Sequence, residues 1–423
     1  MPNIKDSLLE LNPWWNEKFT ILFKDRFIYS QIQKYLPLKQ MIAFTGLRRV
    51  GKTTLMLKIA EDLMNKLSPK HVIYFTFDEF QDIEIRDVIR TYEEITGNNI
   101  RQGRYLLLLD EVQKLENWEN QVKVIYDTLG NNVKIMLSGS ESLFIRKKSK
   151  ETLAGRIFEF KVEPLFFSEF LGFKGVNFSP IGLHEKELKK LFNQYLLTSG
   201  FPDLVEITDK SLIKSYIKEG ITDKIIYKDI PKLFKVTNPA LLESLLNIIS
   251  EEPGQIIQLS NLAIELGISR KTIPLYLNYL ENSFLIRKLY NFSRSRRKVE
   301  RKLKRYYPSI LSVDLLFKED DLSKSKVFEC SVVNQLKGEF FWRDPYKNEV
   351  DLILVKDDKI IPIEIKYGKI EIKGLLQFMK KFSVQEGYVI SQNKEGKQEI
   401  DKKSIHTIPA FQYLLGGSDN LSK

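Results

Sequence analysis

Gly46, Leu47, Arg48, Arg49, Val50, Gly51, Lys52 and Thr53, followed by Thr54, fit the spacing G-x-x-x-x-G-K-S/T. Residues of these types at this spacing bind a polyphosphate. The glycines let backbone amides curl around phosphate oxygens, and a helix opening at the loop adds the positive end of its dipole. The Lys52 ammonium then reaches the β- and γ-phosphates, and the Thr53 hydroxyl holds Mg2+. Asp110 and Glu111 close the aliphatic run Leu106 to Leu109. Successive strand residues project to opposite sides, so the two acids can divide the work: Asp110 in the magnesium shell, Glu111 orienting and deprotonating the attacking water. Ser138 and Ser140 follow the run Lys134 to Leu137 and stand where a γ-phosphate can be sensed; a plain polar turn is the alternative.

A third constellation lies near the C-terminus, where Glu329, Asp351 and Glu364 precede Lys366. On a strand Glu364 and Lys366 share one face while Ile363 and Ile365 pack on the other. The arrangement is similar to the PD-(D/E)XK nuclease pattern, in which Asp351 and Glu364 would bind Mg2+ and Lys366 would steady the attacking water or the scissile phosphate. Glu329, expected at the start of a helix, would complete the acid cluster. A solvated amphipathic strand yields the same residues, and a nuclease-like fold does not entail cleavage.

These groups need a frame. Between Met41 and Val162, short β-type runs (Met41 to Phe44, His71 to Phe77, Tyr105 to Leu109, Lys134 to Leu137, Glu159 to Val162) alternate with longer helical patterns. That alternation predicts an α/β unit, a parallel sheet with helices on both faces, and the uniformly apolar Tyr105 to Leu109 is its central strand. The phosphate loop opens the helical pattern Thr54 to Leu63, and Asp110 ends a strand, at the rim where open parallel sheets bind ligands. After Pro164 the pattern is mainly helical to about Lys235, which reads as a helical lid. Leu259 to Leu280 reads as a helix, a turn at Gly267 and a second helix begun by Ser269, followed by a wing from Leu285 to Arg305. Arg270, Lys271 and Tyr276 fall on or near the second helix, and Arg294, Arg296, Arg297 and Lys298 fall where a wing meets phosphates. Strands at Glu349 to Val355 and Ile360 to Tyr367 and a helix near Gly374 to Phe382 close the pattern. The expected division is an ATPase domain with lid over 1–240, a winged helix over 241–310 and a nuclease-like α/β domain over 311–423.

The chain has 423 residues, of which 43% are hydrophobic and 29% charged, enough apolar material for full cores. Its one cysteine, Cys330, and three histidines supply neither a disulfide framework nor a Cys/His zinc site. With no signal-like N-terminal run and no long apolar segment, the expected location is the cytoplasm, away from membranes. Net charge is +11, and between Arg270 and Arg305 twelve Lys or Arg face two Glu, so nearly the whole surplus sits there. A localised basic block attracts polyanions, which makes DNA or another nucleic acid the expected partner. A lysine-rich solvated surface is the plainer reading, and a winged helix can also dock a protein.

NPWW near the N-terminus, GLRRVGKTTL, LLLLDEVQ, LSGSESLF, ETLAGR followed by PLFFSEFL, and SGFPDLV together resemble the archaeal-type AAA ATPases that carry a C-terminal nuclease-like domain of unknown function. The resemblance spans about Asn12 to Gly368. It implies an AAA-like sheet with Asp110 and Glu111 as magnesium and catalytic acids, and it offers Arg156 as a source of positive charge for the γ-phosphate, within its own subunit or across an interface. The expected function is Mg2+-dependent ATP binding and hydrolysis coupled to a nucleic-acid-binding tail. An ATP-operated switch that docks a protein and an ATP-gated nuclease are the alternatives.

Overall fold

The computed structural model describes residues 3–80, 82–130, 132–139, 151–295, 297, 299 and 303–415. Ser140, Arg296 and Lys298 lie outside the described residues. The chain divides into two compact units, Met1–Pro164 and Leu165–Lys423.

The first unit is built on five strands, β1 (Met41–Thr45), β2 (Val72–Thr76), β3 (Tyr105–Asp110), β4 (Val133–Ser138) and β5 (Ile157–Lys161). All are parallel, in the order β2-β3-β4-β1-β5. β3 is buried at every position because helices cover both faces, whereas the edge strand β5 is only partly covered. The helix Lys52–Leu63 turns Leu55, Met56, Ile59 and Ala60 inward, one stripe at helical spacing.

The N-terminal NPWW closes the other edge of this sheet. Asn12 Nδ2 donates to the carbonyls of Leu8 (2.8 Å) and Tyr74 (2.9 Å), and its Oδ1 accepts from the Tyr74 amide at 2.7 Å. One side-chain amide thereby stands in for a neighbouring strand along β2. The Trp14 and Trp15 indoles both donate to the Val72 carbonyl at 2.9 Å. An edge strand with its polar backbone satisfied in this way no longer templates pairing with another chain.

The second unit holds a nine-stranded mixed sheet in the order β13-β14-β12-β11-β10-β9-β7-β8-β6. Its strands are β6 (Gln255–Ile256), β7 (Ile286–Asn291), β8 (Lys304–Pro308), β9 (Phe340–Arg343), β10 (Glu349–Lys356), β11 (Lys359–Lys366), β12 (Glu386–Ser391), β13 (Gly396–Ile400) and β14 (Lys403–Pro409). β10 and β11 form a hairpin whose turn residues, Asp357 and Asp358, both take positive φ, the turn that matches strand twist. The helix Lys373–Phe382 lays Leu375, Phe378 and Met379 on Trp342, Val350, Ile353 and Val389.

Two observations bear on the expected layout. The helices after Pro164 belong to the second compact unit, Leu165–Lys423. Their aromatic face is buried there: Phe192 meets Phe328 edge-on at 6.5 Å, and the Phe167 amide donates to Gln335 Oε1 at 2.9 Å. Second, β7 pairs with β9, so one sheet joins the segments expected as separate domains over 241–310 and 311–423. Among the described residues no helix is long and apolar enough to cross a membrane.

Candidate active site

The loop between β1 and the helix Lys52–Leu63 needs its glycines. Gly46 has φ +141°, and a Cβ there would sit 2.2 Å from the Val162 carbonyl oxygen; Gly51 has φ +92°. Arg49 takes φ 63°, a left-handed backbone seldom adopted by a long side chain. Lys52 is buried, and its Nζ donates to the carbonyls of Gly46 (3.1 Å) and Leu47 (2.8 Å), drawing the loop around the ammonium. Arg26, which sequence reasoning missed, donates from Nη1 to the Val50 carbonyl (3.0 Å) and from Nη2 to the Glu163 carbonyl (2.7 Å). It straps the loop to the end of β5, and no local pattern around it signals that role.

β3 delivers Asp110 to this loop. Its Oδ2 accepts from the Thr53 hydroxyl at 2.7 Å and the Tyr74 hydroxyl at 2.8 Å, and its Oδ1 accepts from the Glu111 amide at 3.1 Å and from the Ser138 hydroxyl. Burial, reinforced by the Asp110 charge, pushes the Tyr74 phenol well above its usual range, so it stays a donor. Ser138, expected to sense a γ-phosphate, thus orients Asp110. Glu111 has φ 54° and accepts from Gln113 Nε2 at 2.6 Å. Burial raises its carboxyl above the ordinary value, while the neighbouring Lys52 partly offsets this. A strained backbone at an acid beside a phosphate loop is the kind of strain kept for function.

Arg156 lies elsewhere. It immediately precedes β5, its carbonyl accepting from the Met41 amide at 2.8 Å, and its guanidinium pairs with Asp127 at 3.1 Å. Because β1 and β5 are parallel and in register from Met41 to Thr45, Arg156 sits at the sheet edge opposite its own phosphate loop, roughly 17 Å away at about 3.3 Å per strand residue. A role toward its own γ-phosphate is therefore excluded by reach.

The C-terminal residues do converge. Lys366 Nζ lies 2.6 Å from Glu364 Oε1 and 3.6 Å from Asp351 Oδ2, which also accepts from the Ile365 amide at 2.9 Å. Glu329 sits mid-way along the helix Asp321–Leu336 rather than at its start, because Asp320 is the cap, and Glu329 Oε1 accepts from the Tyr307 hydroxyl at 2.8 Å. Arg305, counted in sequence with the basic block, is buried here: Nη1 is 3.5 Å from Asp351 Oδ1, and Nη2 binds Glu349. Burial and the Asp351 charge push Glu364 up to about 8 and Glu329 up to about 7. Among the described residues no group of three or more His, Cys, Asp or Glu is disposed to hold a metal ion. With both Asp351 oxygens facing cations, the donors expected to bind Mg2+ here do not fit one.

The basic block is likewise divided. Arg270 and Lys271 are exposed just before the helix Thr272–Asn282, and Arg297 is exposed. Tyr276 does lie on that helix, and it is buried with its ring 5.8 Å from that of Tyr279. Arg294 donates to the Phe382 carbonyl at 2.8 Å, and Lys288 pairs with Glu281 at 2.6 Å.

A parallel sheet with the phosphate loop after β1, a strand inserted between that strand and the one bearing Asp110, and helices on both faces defines an AAA-like P-loop NTPase fold. Residues 38–171 match the family described as AAA domain, which supports ATP binding and hydrolysis by this unit. Residues 189–309 and 325–413 match two families, each described as a domain of unknown function. Two uncharacterized proteins of Methanocaldococcus jannaschii are similar along most of the chain. One is 27% identical, covering 87% of this chain and 85% of its own, and the other 28%, covering 90% and 89%. An uncharacterized protein of Haemophilus influenzae is 28% identical over 58% of this chain and 60% of its own. Solved structures with a likeness include C. elegans PCH-2, at 14% identity and TM-score 0.26 over 44% of this chain and 50% of that one. The Pif1 helicase from Candida albicans gives 14% and 0.25, over 44% and 46%.

Proposed function

We propose that the first unit hydrolyses ATP with Mg2+ and that its nucleotide cycle acts on a nucleic acid held by the second. The observation that carries the first half is the meeting of Thr53, Asp110, Glu111 and Lys52 at one sheet rim, with the Thr53 hydroxyl 2.7 Å from the Asp110 carboxylate. A hydroxyl and a carboxylate are hard oxygen donors of the kind Mg2+ takes, so Thr53 and Asp110 are the residues to hold it, and bound there it offsets charge on the β- and γ-phosphates. The loop amides from Gly46 to Thr54, with Leu47, Arg48, Arg49 and Val50 between the glycines, cradle the phosphates, and Lys52 exchanges its loop carbonyls for phosphate oxygens. Glu111 takes a proton from the attacking water, and Gln113 fixes the direction of its carboxylate.

The second half is supported by the order helix Pro239–Glu251, β6, helices Leu259–Glu265 and Thr272–Asn282, β7, β8, which we read as a winged-helix order. Exposed Arg270, Lys271 and Arg297 are placed there to meet phosphates. A protein-docking role for the same element is the second reading, and it gains weight if DNA has no effect. The test is Mg-ATP hydrolysis with and without duplex and single-stranded DNA: stimulation supports coupling to nucleic acid, and an unchanged rate moves the partner to protein.

A further inference from the structure

The C-terminal carboxylate cluster contains a cation that its sequence pattern does not contain. Arg305 comes from β8, in register with Leu289 of β7 and next to buried Tyr307, so its backbone is fixed. Its guanidinium lies 4.8 Å from the Phe341 ring centroid, a cation–π contact that holds the group in place. From there it reaches Asp351 and Glu349, and Arg343 Nε takes the other Glu349 oxygen at 2.8 Å. A guanidinium stays charged at any working pH and, once buried, must be paired. The lone pairs a divalent ion would need at about 2.1 Å are aimed at Arg305 and Lys366 instead, and two fixed positive charges repel a third. One oxygen is left over: Glu364 Oε2 is buried and makes no hydrogen bond among the described residues. That oxygen is held by neither Arg305 nor Lys366, so it is open to a further cation once the guanidinium is gone.

We infer that Arg305 is the resident cation of this cluster, standing where a PD-(D/E)XK-like arrangement takes its metal. The wild-type chain binds no divalent ion there, and removing the guanidinium frees oxygens of Glu349 and Asp351 to swing in and close with Glu364 on one Mn2+ or Mg2+. This does not rest on the ATP reading, and leaving out nucleotide keeps the two sites apart. The experiment is Mn2+ titration of the full-length, nucleotide-free protein, followed by electron paramagnetic resonance. Four forms are compared: wild type, Glu364→Gln, Arg305→Met and the double variant. The expected result is no Mn2+ binding in wild type that Glu364→Gln removes, and one ion gained in Arg305→Met at least about tenfold tighter than ~1 mM, lost again in the double variant. Two results overturn the inference: a wild-type Mn2+ site abolished by Glu364→Gln, or a natively folded Arg305→Met, by circular dichroism, that gains none. If Arg305→Met does not fold, wild type against Glu364→Gln still decides, since the inference allows no difference in Mn2+ binding between them.

Discussion

Asn12→Ala removes the side chain that completes the edge of the ATP-site sheet. The structure gives Asn12 three hydrogen bonds, two of them to the backbone of Tyr74, and all three are buried. Alanine leaves the Tyr74 amide and carbonyl without that partner, and a buried polar group so stranded costs about 1–3 kcal/mol. The two together predict a loss of about 2–6 kcal/mol. For a unit of this size about 1 kcal/mol moves the melting midpoint by about 2–4 °C, so the shift is roughly 4–24 °C. The assay is calorimetric melting of the full chain, with the transition of the first unit recognised by its rise on adding Mg-ATP. Asn12→Asp is the control. It keeps an acceptor for the Tyr74 amide but sets a carboxylate against the Tyr74 carbonyl, and it is expected to be at least as destabilising. A shift under about 1 °C for alanine, or a tolerated aspartate, refutes the strand-mimic reasoning.

Lys52→Ala removes the charge that meets the β- and γ-phosphates, so nucleotide affinity falls at least about tenfold by fluorescent-nucleotide titration. Glu111 has its carboxyl raised from 4.5 by burial, and the working base is its ionised form, which gains population only as pH climbs past the raised value. The acid limb of kcat/KM therefore lies above 4.5 in wild type, and a pH series with Glu111→Gln should lack it. Arg156→Ala, measured in single turnover at concentrations where the chain is monomeric, stays within about twofold of wild type, since an exposed ion pair is worth about 0–1 kcal/mol; a large loss there would contradict the placement of Arg156 at the opposite edge. Neutralising Arg270, Lys271 and Arg297 together lowers the slope of log affinity for duplex DNA against log salt by up to about three, and an unchanged slope argues for a protein partner.

The candidate nucleotide site was legible because its chemistry is written in short, contiguous spacing. Gly46 to Thr53 needs only a strand before it and a helix after it, and the apolar run ending in Asp110 names its own place at the sheet rim. What stayed hidden depends on long-range pairing. Arg26, Tyr74 and the Asn12 strand mimic reach the site from segments 24 to 62 residues away in sequence, and no periodicity encodes such a contact. Arg305 was misplaced for the same reason: in sequence it is one more basic residue, and only the register of β8 turns it toward Asp351. Which unit the helices after Pro164 belong to was not legible either, because helical spacing shows which face of a helix is apolar but not what covers it. Tyr276 was placed on or near the second helix of the basic segment, and only the packing shows that it turns inward with Leu277 and Leu280.

The central claim is that Glu111 activates water for ATP hydrolysis beside a magnesium site formed by Thr53 and Asp110. Its most direct test is a comparison of Glu111→Gln with wild type for ATP affinity and for steady-state hydrolysis in Mg2+. The account predicts affinity within a few-fold of wild type and turnover lowered by about 10²-fold or more. Turnover at the wild-type rate would contradict it.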